Sequence, residues 1–284
     1  MTWISLIGIT LAVFALVATL SVRSGFRTEI VDTILGSNSH ITLYKTPSKD
    51  QYGNSDRGFD DYAEVASSLL LLPGVRRSAP LIRSQIMATH DNRNTGLEVF
   101  GISYDNLLGL ERIANPEEYS GDIHDFKNGI AIGSGVAREL GVKVGDKIKL
   151  ISPNGVRTAF GTSPRVKQFK IVYIFTAGRY DIDRTRSYLP FSLAQEYFNR
   201  EGLADEIEVL LDNPSNLTEA IYHIENIVDP DIQLWTWRDA SSSFLRALEI
   251  EDNVMFVLMS ILVMIASMNI ISGLIMLVKN KGRD

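Results

Sequence analysis

The chain has 284 residues, 45% of them hydrophobic, a formal net charge of −6 and no cysteine. That length holds one large or two modest domains, and the lack of cysteine excludes a disulfide scaffold and thiol chemistry while leaving the compartment open. The apolar residues are unevenly spread: residues 2–22 carry no charge and neither do residues 253–278. Each run exceeds the ~20 residues that cross about 30 Å of hydrocarbon as a helix.

The first run reads as a retained helix rather than a signal peptide, because it lacks a basic n-region and a small-x-small cleavage site. Phe26, Ile30 and Ile34 recur every four residues, so the helix is predicted to continue as an amphipathic stalk to Leu35, with Gly36 at its end. "SHITLY" alternates like a strand. Residues 47–60 are polar and read as a mobile loop. Residues 60–72 form a predicted helix, with Asp60 as N-cap and Pro73-Gly74 as its stop. Residues 75–102 read as strands around the "DNRNTG" turn, and residues 103–128 are less regular. "GIAIGSGVARELGVKVGDKIKL" is strand, short helix, glycine turn and strand. "KQFKIVYIF" and "RSYLPF" read as strands, residues 192–199 as a helix, 206–211 as a strand and 214–228 as a helix. "IQLWTW" is a strand that puts Trp235 and Trp237 on one face. Residues 239–250 lead helically into the second apolar run. The middle is therefore mixed α+β, with no repeat or low-complexity tract.

A helix turns about 100° per residue. On the second apolar run this puts Met255, Met259, Leu262, Ala266, Asn269, Gly273 and Met276 on one stripe, with Val257, Ile261, Met264, Met268, Ile271 and Ile275 opposite. An amide in hydrocarbon needs a partner, small residues admit a close helix, and Met adapts to varied apolar ligands. Helix packing explains the stripe; so does a path for an apolar, variable substrate, which needs further helices from elsewhere in the chain or a second copy. Gly8, Ala12, Ala15 and Thr19 form a small-residue stripe on the first helix. Lys279, Lys281 and Arg283 follow the second helix, whereas Glu249, Glu251 and Asp252 precede it, so the positive-inside bias places the C-terminus in the cytoplasm and the middle outside. Arg23 and Arg27, on the outer side of the first helix, run against that bias.

Little in the middle points to catalysis. His40, His90, His124 and His223 are scattered and read as surface or structural residues, with no ligand spacing for zinc. Asp181 and Asp183 in "YDIDRTR" are predicted on one strand face beside Arg184 and Arg186, a charge-balanced edge rather than an acid–base pair. In "GSGVARELG", Arg138 stands at the third glycine position of a dinucleotide motif and no G-K-[ST] follows, so the glycines serve a tight turn that Gly141 closes. One feature stands out. From Lys147 to Tyr180 there is no acidic residue, while Lys147, Lys149, Arg157, Arg165, Lys167, Lys170 and Arg179 fall inside. Within this basic island "SPNGVRTAFGTSPRVKQ" is predicted to protrude between strands, with Val156 and Phe160 at its tip. Aromatic and Arg residues on a stiff loop suit partner docking, and a basic surface speeds encounter with an acidic partner. The island's expected place outside the membrane argues against nucleic acid as a partner.

"EDNVMFVLMSILVMIASMNIISGLIMLVKNKGRD" resembles the second membrane helix and cytoplasmic exit of lipoprotein-releasing (Lol) permeases, and "SLIGITLAVFALVATLSVRSGFRTEIVDTILGSNSHITLY" resembles their first helix and stalk. "GIAIGSGVARELGVKVGDKIKL" is similar to a motif shared with MacB-type exporters. The resemblance implies an α+β extracytoplasmic porter-like lobe plus a second α/β lobe, both discontinuous in sequence. Two transmembrane helices flank them, as the first half of a truncated four-helix permease. It divides the chain into residues 1–24 (first transmembrane helix), 25–252 (periplasmic MacB-like core with stalks, hook loop about 152–168), 253–278 (second transmembrane helix) and 279–284 (start of a cytoplasmic segment).

The implied role is a non-catalytic inner-membrane ABC transporter permease of the mechanotransmitting kind. Its implied partners are a cytoplasmic ATPase that holds the ATP and Mg, a second permease copy or paralogue, a periplasmic lipoprotein carrier, and lipoprotein substrates drawn from the membrane. No cofactor belongs to this chain. Pro164 matches the carrier-binding hook residue, with Val156, Arg157 and Phe160 on the hook; Arg165, Lys167 and Gln168 resemble its basic pad. Met255, Met259, Leu262, Ala266, Asn269 and Gly273 then contribute to a lipoprotein cavity. The rival readings are a two-helix sensor with an outer ligand-binding domain, a membrane-tethered hydrolase, and a MacB-type exporter of other substrates.

Overall fold

The computed structural model describes residues 2–46, 48–49, 55–56, 58–158 and 161–281. It divides into two compact units: residues 33–237, and the terminal segments 1–32 with 238–284.

Unit 33–237 begins with the last residues of α1 (Thr2–Ser37), then β1 (Ile41–Lys45) and the two-residue strands β2 (Ser48–Lys49) and β3 (Ser55–Asp56). These last two pair antiparallel inside the segment expected to be a loop; its residues 47, 50–54 and 57 lie outside the described residues. Next come α2 (Tyr62–Leu70), β4 (Val75–His90), β5 (Arg93–Ile102), α3 (Tyr104–Leu108), α4 (Glu111–Ala114) and β6 (Glu118–Gly121). A 3-10 turn (Ile123–Asn128) leads to β7 (Ile130–Gly133), α5 (Ser134–Leu140), β8 (Lys147–Thr158), β9 (Gly161–Thr176), α6 (Tyr180–Thr185), β10 (Arg186–Pro190) and α7 (Phe191–Phe198). β11 (Glu206–Leu211), α8 (Leu217–Glu225) and β12 (Ile232–Thr236) complete the series, before α9 (Trp237–Ala240) and α10 (Ser242–Lys281).

Local chemistry explains most of these boundaries. β4 and β5 join through a two-residue turn in which Asp91 takes a left-handed φ of 49°, as tight hairpins require. α5 ends where Gly141 adopts φ 69°. α2 starts one residue later than its expected Asp60 cap: Asp61 holds that position, and its backbone carbonyl rather than its side chain receives the Glu64 and Val65 amides. Two expectations fail outright. "YDIDRT" is the helix α6, not a strand. Trp237 lies beyond β12 and donates its indole N–H to the Pro214 carbonyl at 3.2 Å, while Trp235 stays 51% exposed, so the two rings share no strand face.

Nine strands form the path β12-β1-β11-β4-β5-β10-β7-β9-β6, and β8 pairs with both β4 and β9. One ten-stranded sheet thus runs through both expected lobes. The cause is β4. Its first part pairs with β11 as far as Leu81↔Glu206, and its second part pairs with β5 from Ile82↔Gly101 onward. On one side of this seam α2 and α8 bury Ile41, Leu43, Leu69, Val209 and Ile224 against the sheet. On the other side, α5 and α7 cover one face around Ile82, Val99, Leu150 and Tyr197. The opposite face there packs Leu81, Ile102, Leu107, Phe126 and Phe175 beneath α3, α4 and the 3-10 turn.

In the other unit, α1 exposes Leu11, Phe14, Val17 and Val22, and α10 exposes Phe256, Met264, Met268 and Ile275. Among the described residues α10 is long and apolar enough, over Ser242–Ile275, to cross a bilayer. Water would not tolerate so much contiguous apolar surface.

Candidate functional site

The basic island folds into the hairpin β8–β9. Its ladder runs Lys147↔Lys170, Lys149↔Gln168, Ile151↔Val166 and Ser152↔Arg165, then resumes at Val156↔Ser163, Arg157↔Thr162 and Thr158↔Gly161. The register shift between Ser152 and Val156 sets Pro153, Asn154 and Gly155 against Pro164 alone. A proline donates no ladder hydrogen bond, so a bulge is where a paired strand accepts one. The expected protruding loop is therefore a paired, bulged hairpin, and Pro164 stands exposed at its bulge. Phe160 lies outside the described residues, as do the side chains of Val156 and Arg157.

Strand alternation divides the expected pad. Arg165 and Lys167 turn towards α7. The Arg165 guanidinium donates to the carbonyls of Glu196 and Tyr197 at 2.7 and 3.0 Å and to Asn199 Oδ1 at 2.5 Å, capping the C-terminal end of α7. Lys167 pairs with Glu196 at 2.8 Å and holds that carboxyl below its usual range. Gln168 points the other way and is exposed, on the same side as Pro164, Val166 and Lys170.

A group that sequence reasoning missed lies at the seam of β4. Arg77 is 7% exposed, donates to Glu208 Oε2 at 3.1 Å and to the Asn106 carbonyl at 2.7 Å. Arg83 gives Nε and Nη2 to Glu98 Oε1 at 2.8 and 2.6 Å. Its Nη1 lies 3.7 Å from Glu206, which is 2% exposed and whose Oε1 has no hydrogen-bond partner among the described residues. Burial, only partly offset by Arg83, raises the Glu206 carboxyl to about 7. Arg83 and Arg186 both lie over the Phe100 ring, at 5.2 and 4.6 Å. The only signal in the sequence was charge at alternate positions of "EIEVLL", which by itself reads as a solvated strand face.

The remaining candidates resolve as structural. His40 is buried, accepts the Leu211 amide at Nδ1 and is lowered to about 4 by burial and by Arg77 and Arg76. Asp183 accepts the Ala177 amide at 2.7 Å, while Asp181 pairs with Arg179 at 2.5 Å, so the two carboxylates serve different ends. A Cβ at Gly133 would meet the Asp183 carbonyl at 2.3 Å, and one at Gly135 would meet it at 2.8 Å. These glycines admit α6, not a phosphate. No cluster of metal ligands occurs among the described residues.

In the unit of the two long helices, Met255, Met259, Ala266 and Gly273 are half-buried, as is Asp252 one step earlier on the same stripe, while the opposite side is exposed. Leu262 is 42% exposed, and the side chains of Asn269 and Met276 lie outside the described residues. Asp252 binds both Arg23 and Arg27 of α1. The stripe therefore turns towards α1 at this end, and the two arginines that ran against the charge bias are neutralised. Gly8, Ala15 and Thr19 face outward instead.

Residues 2–227 match the MacB-like periplasmic core domain. The chain belongs to this family. Over its whole length it is 27% identical to the lipoprotein-releasing system transmembrane protein LolC of Neisseria meningitidis serogroup B, of which the match covers 67%. It is 25% identical, over 99% of the chain, to LolE of Haemophilus influenzae, of which 66% is covered. The chain thus spans about two thirds of these relatives, which are permeases of the Lol type. A solved structure, the periplasmic region of MacB from Actinobacillus actinomycetemcomitans, matches 76% of the chain and 97% of its own length, with 11% identity and a TM-score of 0.46.

Proposed function

We propose that this chain is the permease portion of an ABC transporter that extracts lipoproteins from the bacterial inner membrane and passes them to a periplasmic carrier. The observation that carries the reading is similarity to lipoprotein-releasing transmembrane proteins along the entire chain, helices included. In this reading α1 and α10 span the inner membrane, residues 25–252 stand in the periplasm, and both chain ends face the cytoplasm. Lys279 and Lys281, which follow the uncharged run of α10, and Glu249, Glu251 and Asp252, which precede it, support that orientation. A cytoplasmic ATPase supplies ATP and Mg chemistry, and a second permease completes the path. Stalk segments 25–35 and 239–252 transmit its motion.

The hairpin at Pro164 receives the carrier, and the half-buried stripe at Met255, Met259, Ala266 and Gly273 lines the acyl-chain path. Burial of each CH2 is worth about 0.8 kcal/mol, so pulling acyl chains from the bilayer requires coupled ATP hydrolysis. The test is depletion of the full-length protein in its own bacterium. Outer-membrane lipoproteins are expected to accumulate in the inner membrane. Normal lipoprotein sorting in depleted cells overturns the reading.

A further inference from the structure

The two uncharged runs end at residues that meet. Arg23 is the first charge after residues 2–22, and Asp252 is the last charge before residues 253–278. Arg23 and Arg27 stand four residues apart, on one face of α1. Each takes a different oxygen of Asp252 on α10: Arg23 Nη2 contacts Oδ1, and Arg27 Nη1 donates to Oδ2 at 3.1 Å. The side chains of Arg23, Arg27 and Asp252 are 25%, 54% and 37% exposed. An ion pair between flexible side chains in open water contributes little. This one lies where both helices begin their apolar runs, so parting it leaves unmatched charge at the edge of hydrocarbon.

Along the apolar run the helices are held differently. On the stripe that carries Asp252, Leu248 is 8% exposed one turn before it, whereas Leu262, nearly three turns beyond, is 42% exposed. No residue in the most apolar stretch of α10 is buried, and a Cβ added at Gly273 would meet nothing within 4 Å. The close small-residue contact that would hold two helices together through hydrocarbon therefore does not form at Gly273. The helices α1 and α10 are joined by charge at one end, and beyond it they leave a slot that begins at Met255, Met259 and Ala266.

We infer that Arg23, Arg27 and Asp252 form a clasp across the outer mouth of this slot, which parts to let an acyl-bearing substrate leave the membrane and shuts behind it. The inference rests on the permease reading above and deepens it, by giving the acyl-chain path its control point. Two properties suit a clasp rather than a fixed brace. Its groups are partly exposed side chains on helix surfaces, so they separate without opening a packed core. Its strength, two guanidiniums on one carboxylate, biases two helix positions without locking either; couplings of that order shift an equilibrium by roughly five- to 150-fold. The clasp also accounts for two arginines on the outer side of the first helix, against the charge bias: they stand where α10 presents its last carboxylate.

The experiment uses the full-length permease with its ATPase in proteoliposomes loaded with a lipoprotein, and reads both lipoprotein released and ATP hydrolysed. Asp252→Asn is expected to raise the ATP hydrolysed per lipoprotein released about five-fold or more, because the mouth no longer shuts. The combined exchange Arg23→Asp, Arg27→Asp and Asp252→Arg rebuilds the clasp with its polarity reversed. It is expected to return that ratio to within about two-fold of wild type. In a third variant, Arg27→Cys and Asp252→Cys are bridged by a bis-maleimide; residues 1–284 hold no other cysteine. Bridging is expected to stop release that the unbridged variant performs, and this arm decides the matter if Asp252→Asn fails to assemble. A wild-type ratio in Asp252→Asn, or continued release from the bridged protein, overturns the clasp while leaving the permease reading intact. A reversed triad that behaves like Asp252→Asn overturns it in favour of separate charges meeting lipid headgroups. A wild-type complex that releases no lipoprotein overturns the clasp together with the permease reading.

Discussion

Two regions of one sheet face reverse the ordinary distribution of residue types in opposite senses. Around the seam of β4, ionisable groups (Arg77, Glu208 and Glu206) are enclosed. Further along the same strand Met87, with Val166 two strands away, stands exposed beside Lys147, Lys149 and Lys170, which have no ion-pair partner among the described residues. Enclosed charge is costly unless paired, so Arg77 is matched by Glu208, while Glu206 keeps its proton up to about pH 7. Exposed apolar surface is costly unless covered, and Met87 and Val166 are left uncovered by this chain's own fold. The ionisable groups of the seam therefore act within the fold, whereas the Met87–Val166 row gives little of its apolar area to the core.

The comparison breaks most sharply at Arg77. Its replacement by Ala leaves Glu208 without its buried partner and is expected to destabilise the protein by about 3–5 kcal/mol, measured by chemical denaturation in detergent. A loss under about 1 kcal/mol would mean that the seam carries no structural load.

Glu206 gives the next effect, and its sign is set by the raised carboxyl. The folded state holds this proton up to about pH 7, whereas the unfolded chain releases it near 4.5. Stability is therefore full below about pH 4.5 and declines as pH rises to and through about 7, by about 3 kcal/mol. Glu206→Gln is expected to remove that decline and to be more stable than wild type at pH 8. Parallel stability–pH profiles for the two proteins would refute it.

The smallest contrast lies on β9 itself. Arg165→Ala uncaps α7 and is expected to cost about 2 kcal/mol. Gln168→Ala, three residues on and facing outward, is expected to stay within about 0.5 kcal/mol. Thermal melting of both variants separates the face that holds the fold from the face that stays open; equal shifts would erase the distinction.

Much of this fold was readable locally. Glu206–Leu211 is a strand as expected, and the strand–helix–strand around Gly133 and Gly141 follows its turn chemistry. α10 follows from an uncharged run whose stripe at Met255, Met259, Ala266 and Gly273 is indeed its less exposed side. The candidate site was readable only in outline. The basic island is a hairpin with Pro164 at a bulge, but Arg165, Lys167 and Gln168 looked like one patch because they are neighbours in sequence. The period-2 alternation of a strand sends Arg165 and Lys167 to one side and Gln168 to the other. α6 escaped because six residues are too few for periodicity to choose between helix and strand.

Chain-local physics therefore determined the elements and the apolar runs: backbone preference, side-chain period and hydrophobic length act over a few residues and are written in the order of the sequence. Which side of each strand is covered was decided only by tertiary structure. β4 meets β11, β5 and β8 in turn, and those partners come from residues 206–211, 93–102 and 147–158. Such long-range pairing turned "EIEVLL" inward with its charges and left Val166 outside, because burial depends on what the fold brings against a side chain as well as on the side chain itself.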